Sequence, residues 1–381
     1  MPRSVAQYLK LHVADVSSGE ITALMQPEFI ERMSHSTRIP GGFWRLELAV
    51  PSREIDYWTW REERMLYRIV LEEAGGRKLW EGRLEDVELV DDIHVVMLGF
   101  VGYWSNFADS VQIPSYATTG DAIVKDLRDN IHADTLQLST SNDNIEAPGV
   151  TLTLDFSGSD WSAWRILTDS NRGALTVGNS SDKKMDLAVW DDREVHYQAR
   201  NPTSADWTAY LHEANGGGVS KLPLSVSWRN VANAVTGVYE SGGTRTRTSA
   251  ATDSDSIADL IRREVHLPNI GESTATIAQA RRDTELALRK DLQQQVDRIE
   301  LDRVWDADGV EWPLCRVRAG EVLRIPDFVP RTGDLDSLSL DAFRTFVIEE
   351  TTCDHLAGVL SVRPDRDGQS LVDVLVRNGV I

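Results

Sequence analysis

Apolar residues recur at every second position in short runs along most of this chain. In WRLELAVP, Trp44, Leu46, Leu48 and Val50 fall on one face while Arg45 and Glu47 fall on the other, the pattern of a half-buried strand. RMLYRIVLEE follows, then a turn at Gly75-Gly76, then LWEGRLEDVELV and IHVVMLGF. These runs are short, rich in β-branched and aromatic residues, and broken by Gly, Asp and Asn. They predict an antiparallel meander or small barrel.

Near residue 113 the period changes. TTGDAIVKDLRDNIHAD offers Thr118 as N-cap with Asp121 three residues on, and Ile123, Leu127 and Ile131 then fall four apart, which predicts a short amphipathic helix. GVTLTLDFS returns to alternation. Asp160 is placed to cap a second helix, WSAWRILTDSNR, with Gly173 as its C′ glycine. MDLAVW and REVHYQAR predict two strands around an Asp-Asp turn. The section is α+β in character.

From about residue 221 alternation resumes in LPLSVSW and AVTGVYES, followed by a Gly242-Gly243 turn and TRTRTSAA. A helical interruption follows: SIADLIRREV, then a longer helix from Ser273 to about Gln294 with Ile277, Thr284, Leu288 and Leu292 on one stripe, in a stretch rich in good helix formers. The last runs, VDRIELDRVW, VEWPLCRV, GEVLRIPDF, FRTFVIEET, LAGVLSVRP and SLVDVLVRNGVI, predict strands. Two Asp-Gly turns interrupt them, at 306–309 and 365–368. The expected fold is mainly β with α+β parts. It comprises a first β-barrel domain over 1–112, an α+β domain over 113–220, and a second β-barrel domain over 221–381 with a helical insertion at about 253–296. Two β regions of similar size suggest duplication, although no residue-level repeat is visible.

Charge narrows the functional classes. The 381 residues carry 60 acidic and 40 basic side chains, a formal net charge of -20. That balance argues against gripping phosphate backbones or docking on anionic lipid, both of which need a cationic face. The surplus is spread along the chain: 18 acids against 12 bases in 1–112, 16 against 8 in 113–220, and 26 against 20 in 221–381. The acid therefore belongs to folded surfaces and not to an acidic tail. The two cysteines, Cys315 and Cys353, make no disulfide framework, which favours a reducing compartment. The start, MPRSVAQYLKLHVADV, has no apolar leader segment, and the longest apolar run, Val95 to Trp104, is about half of what a spanning helix needs.

Motifs for chemistry are sparse. The eight histidines, at 12, 35, 94, 132, 196, 212, 266 and 355, show no metal-helix spacing. Cys353-Asp354-His355 is the only dense cluster, and on a strand Cys353 and His355 share a face, giving two ligands at best. Asp306-Ala307-Asp308-Gly309 resembles the start of a calcium loop but lacks its closing Glu, so a hairpin is the simpler reading. Neither a nucleophile elbow nor a phosphate-binding loop is present, and Gly216-Gly217-Gly218 reads as a linker turn at a domain border. A glycosidase needs only two carboxylates close in space, which sequence does not reveal. The 12 tryptophans would suit a sugar cleft. Trp44, Trp80 and Trp228 in strands, and Trp161 and Trp164 on a helix, read more simply as packing residues. The expectation is a protein with no catalytic residues, no cofactor and no metal.

One passage carries a more specific signal. Trp80, Glu81, Gly82, Arg83 and Leu84, an acidic turn, an apolar strand, and then Gly102, Tyr103, Trp104 and Ser105 resemble a passage of phage tail hub proteins. MDLAVWDDREVHYQARNP and VSWRNVANAVTGVYESGGTRTRT resemble that family's strand pairs, and the order of elements matches over nearly the whole chain. Cys353-Asp354 departs from the aromatic-Asp pair the pattern leads one to expect. The resemblance implies a homotrimer whose chains each carry two tube-like barrels, giving a pseudo-sixfold ring. Such a ring closes a tail tube or meets a distal tail protein above, holds a fibre or spike below, and surrounds the path of the tape measure protein and DNA. It implies a virion protein at the tail tip or baseplate, assembled in the host cytoplasm, with no specific nucleic-acid binding and no stable membrane insertion. An acid-lined channel would let DNA slide without sticking. The alternatives are a distal tail ring, a carbohydrate- or receptor-binding tail protein, and a wall-degrading hydrolase.

Overall fold

A computed structural model describes residues 9–14, 21–25, 30–63, 68–73, 76–90, 94–108, 110–112, 114–131, 138–147, 151–154, 160–162, 185–199, 205–227, 231–272, 275–290, 293–328 and 344–365. The fold is mainly β with α+β parts, and its sheets curl into half-barrels.

The first half-barrel is built from β1 (Leu9–Ala14), β2 (Ile21–Met25), β3 (Arg32–Arg38), β4 (Gly41–Pro51), β5 (Arg68–Glu73), β6 (Lys78–Val90) and β7 (Val95–Val101). All pairings are antiparallel, in the order β2–β1–β5–β6–β7–β4–β3. Leu46, Leu48, Val50, Trp80, Leu84, Leu98 and Phe100 fill its concave side, with Trp60 of helix α1 (Tyr57–Glu63). Trp44 departs from the expected face. In the β3–β4 register Ser36 pairs with Arg45 and Thr37 with Phe43, so Trp44 is the extra residue of a β-bulge. The bulge sends Phe43 into the core, while Trp44 stacks flat on Trp104 at 3.9 Å between ring centroids, with the Arg38 guanidinium above it. Two glycines of the tail-hub-like passage sit where backbones nearly touch. A Cβ at Gly82 would lie 2.1 Å from the Val101 carbonyl oxygen, and one at Gly102 would lie 1.7 Å from that of Phe43.

The middle section pairs β8 (Ser110–Gln112) with β11 (Asp160–Ser162), β9 (Tyr116–Thr119) with β10 (Thr151–Leu154), and β12 (Met185–Val189) with β13 (Val195–Ala199). Helix α2 (Gly120–Asp126) runs into a π turn at Leu127–Ile131 and buries Ile123, Val124 and Leu127 against Tyr103, Phe107, Leu187 and Tyr197. Two sequence expectations are corrected here. Thr118 is a strand residue opposite Leu152. The helix begins after Thr119, whose hydroxyl bonds Asp121 and caps no backbone N–H. Asp160 starts a strand and not a helix, because pairing with β8 satisfies its backbone and overrides its cap preference. Gly173 and Trp164 lie outside the described residues.

The second half-barrel comprises β14 (Trp207–Thr208), β15 (Val219–Lys221), β22 (Ile299–Leu301), β23 (Val304–Asp306), β24 (Glu311–Trp312), β25 (Val322–Arg324), β26 (Thr345–Asp354) and β27 (Val359–Pro364). They run β15–β22–β27–β26–β25–β14–β23–β24, antiparallel except for β14–β25. Ile299, Leu301, Val304, Val317, Leu323, Ile325, Ile348, Leu360 and Val362 make its core. The triple-glycine turn lies inside this set, between β14 and β15 and not at a border, with all three residues at positive φ. VDRIELDRVW is two strands, β22 and β23. Asp306-Ala307-Asp308-Gly309 is the expected hairpin between β23 and β24: the Asp306 carboxylate accepts from the amides of Asp308 and Val310 and from the Trp312 indole. The 365–368 turn lies largely outside the described residues.

The insertion springs from β16 (Leu224–Ser227) and β21 (Gln293–Val296), which pair with each other. It carries β17 (Ala234–Ser241), β18 (Thr244–Arg247), β19 (Ala251–Thr252) and β20 (Glu264–Glu272) around β17, with α3 (Ser254–Leu260) and α4 (Ala275–Arg289). Gly242 and Gly243 both take positive φ, as a tight hairpin requires. SIADLIRREV is only half helix: Asp253 caps it by accepting from the Ser256 amide, it stops at Ile261, and Glu264 begins a strand. The longer helix also ends earlier than expected, because Gln293–Val296 is drawn into β21, where pairing with β16 closes the base of the insertion. The side chains of Ile277, Thr284, Leu288 and Leu292 are outside the described set.

Candidate functional site at the junction of the half-barrels

The last five residues of β26 pair on both sides. Glu350–Asp354 run antiparallel to β27 on one side and to Ser34–Arg38 of β3 on the other. The two half-barrels therefore form one continuous hydrogen-bonded surface, fixed in register by backbone bonds.

The seam is polar. Along β3, Met33, His35 and Thr37 are buried and alternate with the more exposed Ser34, Ser36 and Arg38. The Thr37 hydroxyl lies 2.6 Å from the Thr351 hydroxyl and accepts from the Ala319 amide at 2.8 Å. His35 Nδ1 lies 2.7 Å from His355 Nε2, and the His355 amide donates to the Met33 carbonyl. Burial pushes both imidazoles below their ordinary range, His355 to about 4. His35 is lowered further by His355 and by the nearby Arg318 guanidinium. Replacing Thr37 by Val keeps the shape but leaves the Ala319 N–H buried without its acceptor. A loss of about 1–3 kcal/mol in urea unfolding is expected.

Arg318, in the loop before β25, ties three parts together. Its two terminal nitrogens donate in a fork to Asp191 of the middle section, each at 3.0 Å. One of them also donates to the Lys78 carbonyl of β6 at 2.8 Å, and the guanidinium lies over Phe43 and Trp190. Glu81 makes a second tie. Its fully buried carboxylate accepts from Arg68 Nη2 at 2.7 Å and from the Arg193 amide at 2.7 Å, with Lys78 Nζ at 3.2 Å. Lys78 also pairs with Asp192, and Arg316 with Glu73 at 2.6 Å. Of the residues singled out in the Trp80–Leu84 passage, Glu81 thus helps to join the first half-barrel to the middle section, while Trp80 and Leu84 fill the half-barrel's own core.

This arrangement can hold a rigid frame. The structure brings Cys353 and His355 together on one face, and it adds His35, which spacing along the chain could not reveal. Two clefts are lined elsewhere. One, of about 290 Å3, lies by Tyr210, Trp305 and Asp306, and the other, of about 470 Å3, by His212, Lys221 and Asp327. The Asp306 and Asp327 carboxylates already accept several backbone and side-chain donors, so neither stands as a free general acid or base. Among the described residues no helix is long and apolar enough to cross a membrane. Large exposed apolar side chains stand at Trp58, Leu89, Ile261, Val310 and Leu356.

A mainly β chain of two joined half-barrels, with an α+β section and an inserted subdomain, defines an architecture shared with solved tail proteins. The 43 kDa tail protein of prophage MuSo2 from Shewanella oneidensis is similar over 95% of this chain and 98% of its own, with TM-score 0.55 and 14% identity. A tail protein from Neisseria meningitidis MC58 is similar over 96% and 98%, with TM-score 0.57 and 11% identity. Prophage tail protein gp18 from Listeria monocytogenes EGD-e is similar over 98% and 99%, with TM-score 0.51 and 10% identity. The chain matches no protein-family model and no curated protein sequence. Its fold is that of these tail proteins.

Proposed function

We propose that this chain is a structural hub protein of a phage or phage-derived tail, acting at the tail tip or baseplate as a homotrimeric ring without catalysis. The observation that carries the reading is the likeness of fold to prophage tail proteins over almost the full length of both chains. The junction supports it. A ring that meets a sixfold tube with three chains needs two β units per chain held at a fixed angle, and the β3–β26 pairing with the Arg318 and Glu81 ties fixes that angle.

In this reading the ring meets the tail tube or a distal tail protein above and a fibre or spike below, and the tape measure protein and DNA pass through its centre. Subunits would meet along strand edges. Among the described residues β2 ends the first row, and β15 and β24 end the second. Ile261 is 79% exposed at φ 64, a costly position for a β-branched residue, and the Asn233 side chain holds it there; it is the leading candidate for a neighbour contact on the insertion. The exposed acids Glu85, Asp86 and Glu88 of β6 are the candidates for the channel lining. Changing these three to lysine is expected to leave the fold intact and slow DNA release from assembled tails, read by dye entry into released DNA. An unchanged release rate assigns them to the outer surface.

Imaging of tails carrying a tagged chain tests the reading. Threefold density at the tip is expected; a label along the tube, or a sixfold ring, would overturn it.

A further inference from the structure

Three side chains with metal-binding atoms converge at the seam. His35 lies opposite Cys353 in the β3–β26 register, and His355 follows two residues on, on the same face. One donor atom from each lies within 4.8 Å of those of the other two, and all three residues are buried. Two imidazoles and a thiol are a borderline-soft set, suited to zinc and unsuited to calcium or magnesium.

We propose that His35, Cys353 and His355 bind a single zinc-class divalent ion that staples the two half-barrels together. The two nitrogens stand near the spacing the ion requires, and the donor set, now spread over as much as 4.8 Å, would close to about 3.5 Å around it. Zn–N bonds of about 2.0–2.1 Å in a tetrahedral site separate two nitrogens by about 3.3 Å. The imidazole nitrogens stand 2.7 Å apart, so the rings need to part by roughly half an ångström. The His35 ring is hydrogen-bonded to the Cys315 backbone, which occupies one ring N–H and turns the other nitrogen toward the cluster. His355 would carry its proton on Nδ1, leaving Nε2, the nitrogen that faces His35, free to bind. The Cys353 thiol, held protonated by burial, would release its proton to the solvent, so binding liberates one proton per ion. The proposal stands on the seam geometry and is independent of the hub reading.

The test uses the full chain, stripped with a chelator and then loaded with Zn2+ or with Co2+ as a coloured substitute. One ion per chain by elemental analysis is expected, with a near-ultraviolet thiolate-to-cobalt band. Zinc should raise the melting temperature. Cys353→Ser, which preserves size, should abolish the band and weaken binding at least about tenfold, as should His35→Gln. Circular dichroism confirms that each variant is folded. A folded wild-type chain that takes up no ion at micromolar concentration overturns the proposal. So does uptake that is equal in wild type and both variants, which would assign the ion to surface histidines.

Discussion

Replacing Arg318 by Ala is expected to cost about 3–5 kcal/mol of unfolding free energy, and to loosen the middle section from both half-barrels. The substitution removes a forked pair to Asp191, a bond to the Lys78 carbonyl and the cation that lies over Phe43 and Trp190. The Arg318 side chain is largely buried, while Asp191 remains partly in water, so the lower end of that range is the better guide. Arg318→Lys should recover only part of the loss, because an ammonium cannot form the fork. Chemical denaturation gives the magnitude. Limited proteolysis gives the location, with cleavage expected around residues 190–194 before the rest of the chain. Denaturation at the wild-type midpoint would show that the tie is decorative.

The second large effect is expected at Glu81. Its side chain is inaccessible to solvent, and it serves Arg68, Lys78 and the Arg193 amide at once. Ala at this position leaves the Arg68 guanidinium and the Arg193 amide without this acceptor and Lys78 with Asp192 alone, a loss of about 3–5 kcal/mol. Glu81→Gln keeps the shape and one acceptor oxygen but withdraws the charge, so it should cost less than Ala. If Gln costs as much as Ala, charge sets the energy of the joint; if Gln is neutral, shape and hydrogen bonding do. Thermal unfolding followed by tryptophan fluorescence suits both variants, since Trp80 is fully buried beside the site.

The legible parts of this fold were those with a dry face. β4, β6, β12 and β13 each set apolar against polar residues, and period two exposes them, while β7 is apolar throughout. The Gly242-Gly243 and Asp306–Gly309 hairpins were legible because positive φ and carboxylate-to-amide bonding demand those residue types. β3 was not. In RMSHSTR the buried face is Met, His and Thr and the other face is Arg, Ser, Ser and Arg, so neither reads as a dry face. The reason lies in the partner: this face meets hydroxyls and an imidazole of the second half-barrel, and hydrogen bonds take the place of oil. The candidate site failed to show for the same reason. His35 and His355 stand 320 residues apart and meet only through strand register. Trp44 misled because a bulge shifts the alternation by one residue, which spacing alone does not reveal. Gln293 and Gln294 misled because their helix preference yields to an available strand partner.

The central claim is that three of these chains close a ring. Light scattering or native mass measurement of the purified chain tests it most directly, across a range of micromolar concentrations. The account predicts a species of three times the 42.6 kDa chain mass, stable on dilution. A single-chain mass throughout the range, or a six-chain species, would contradict it.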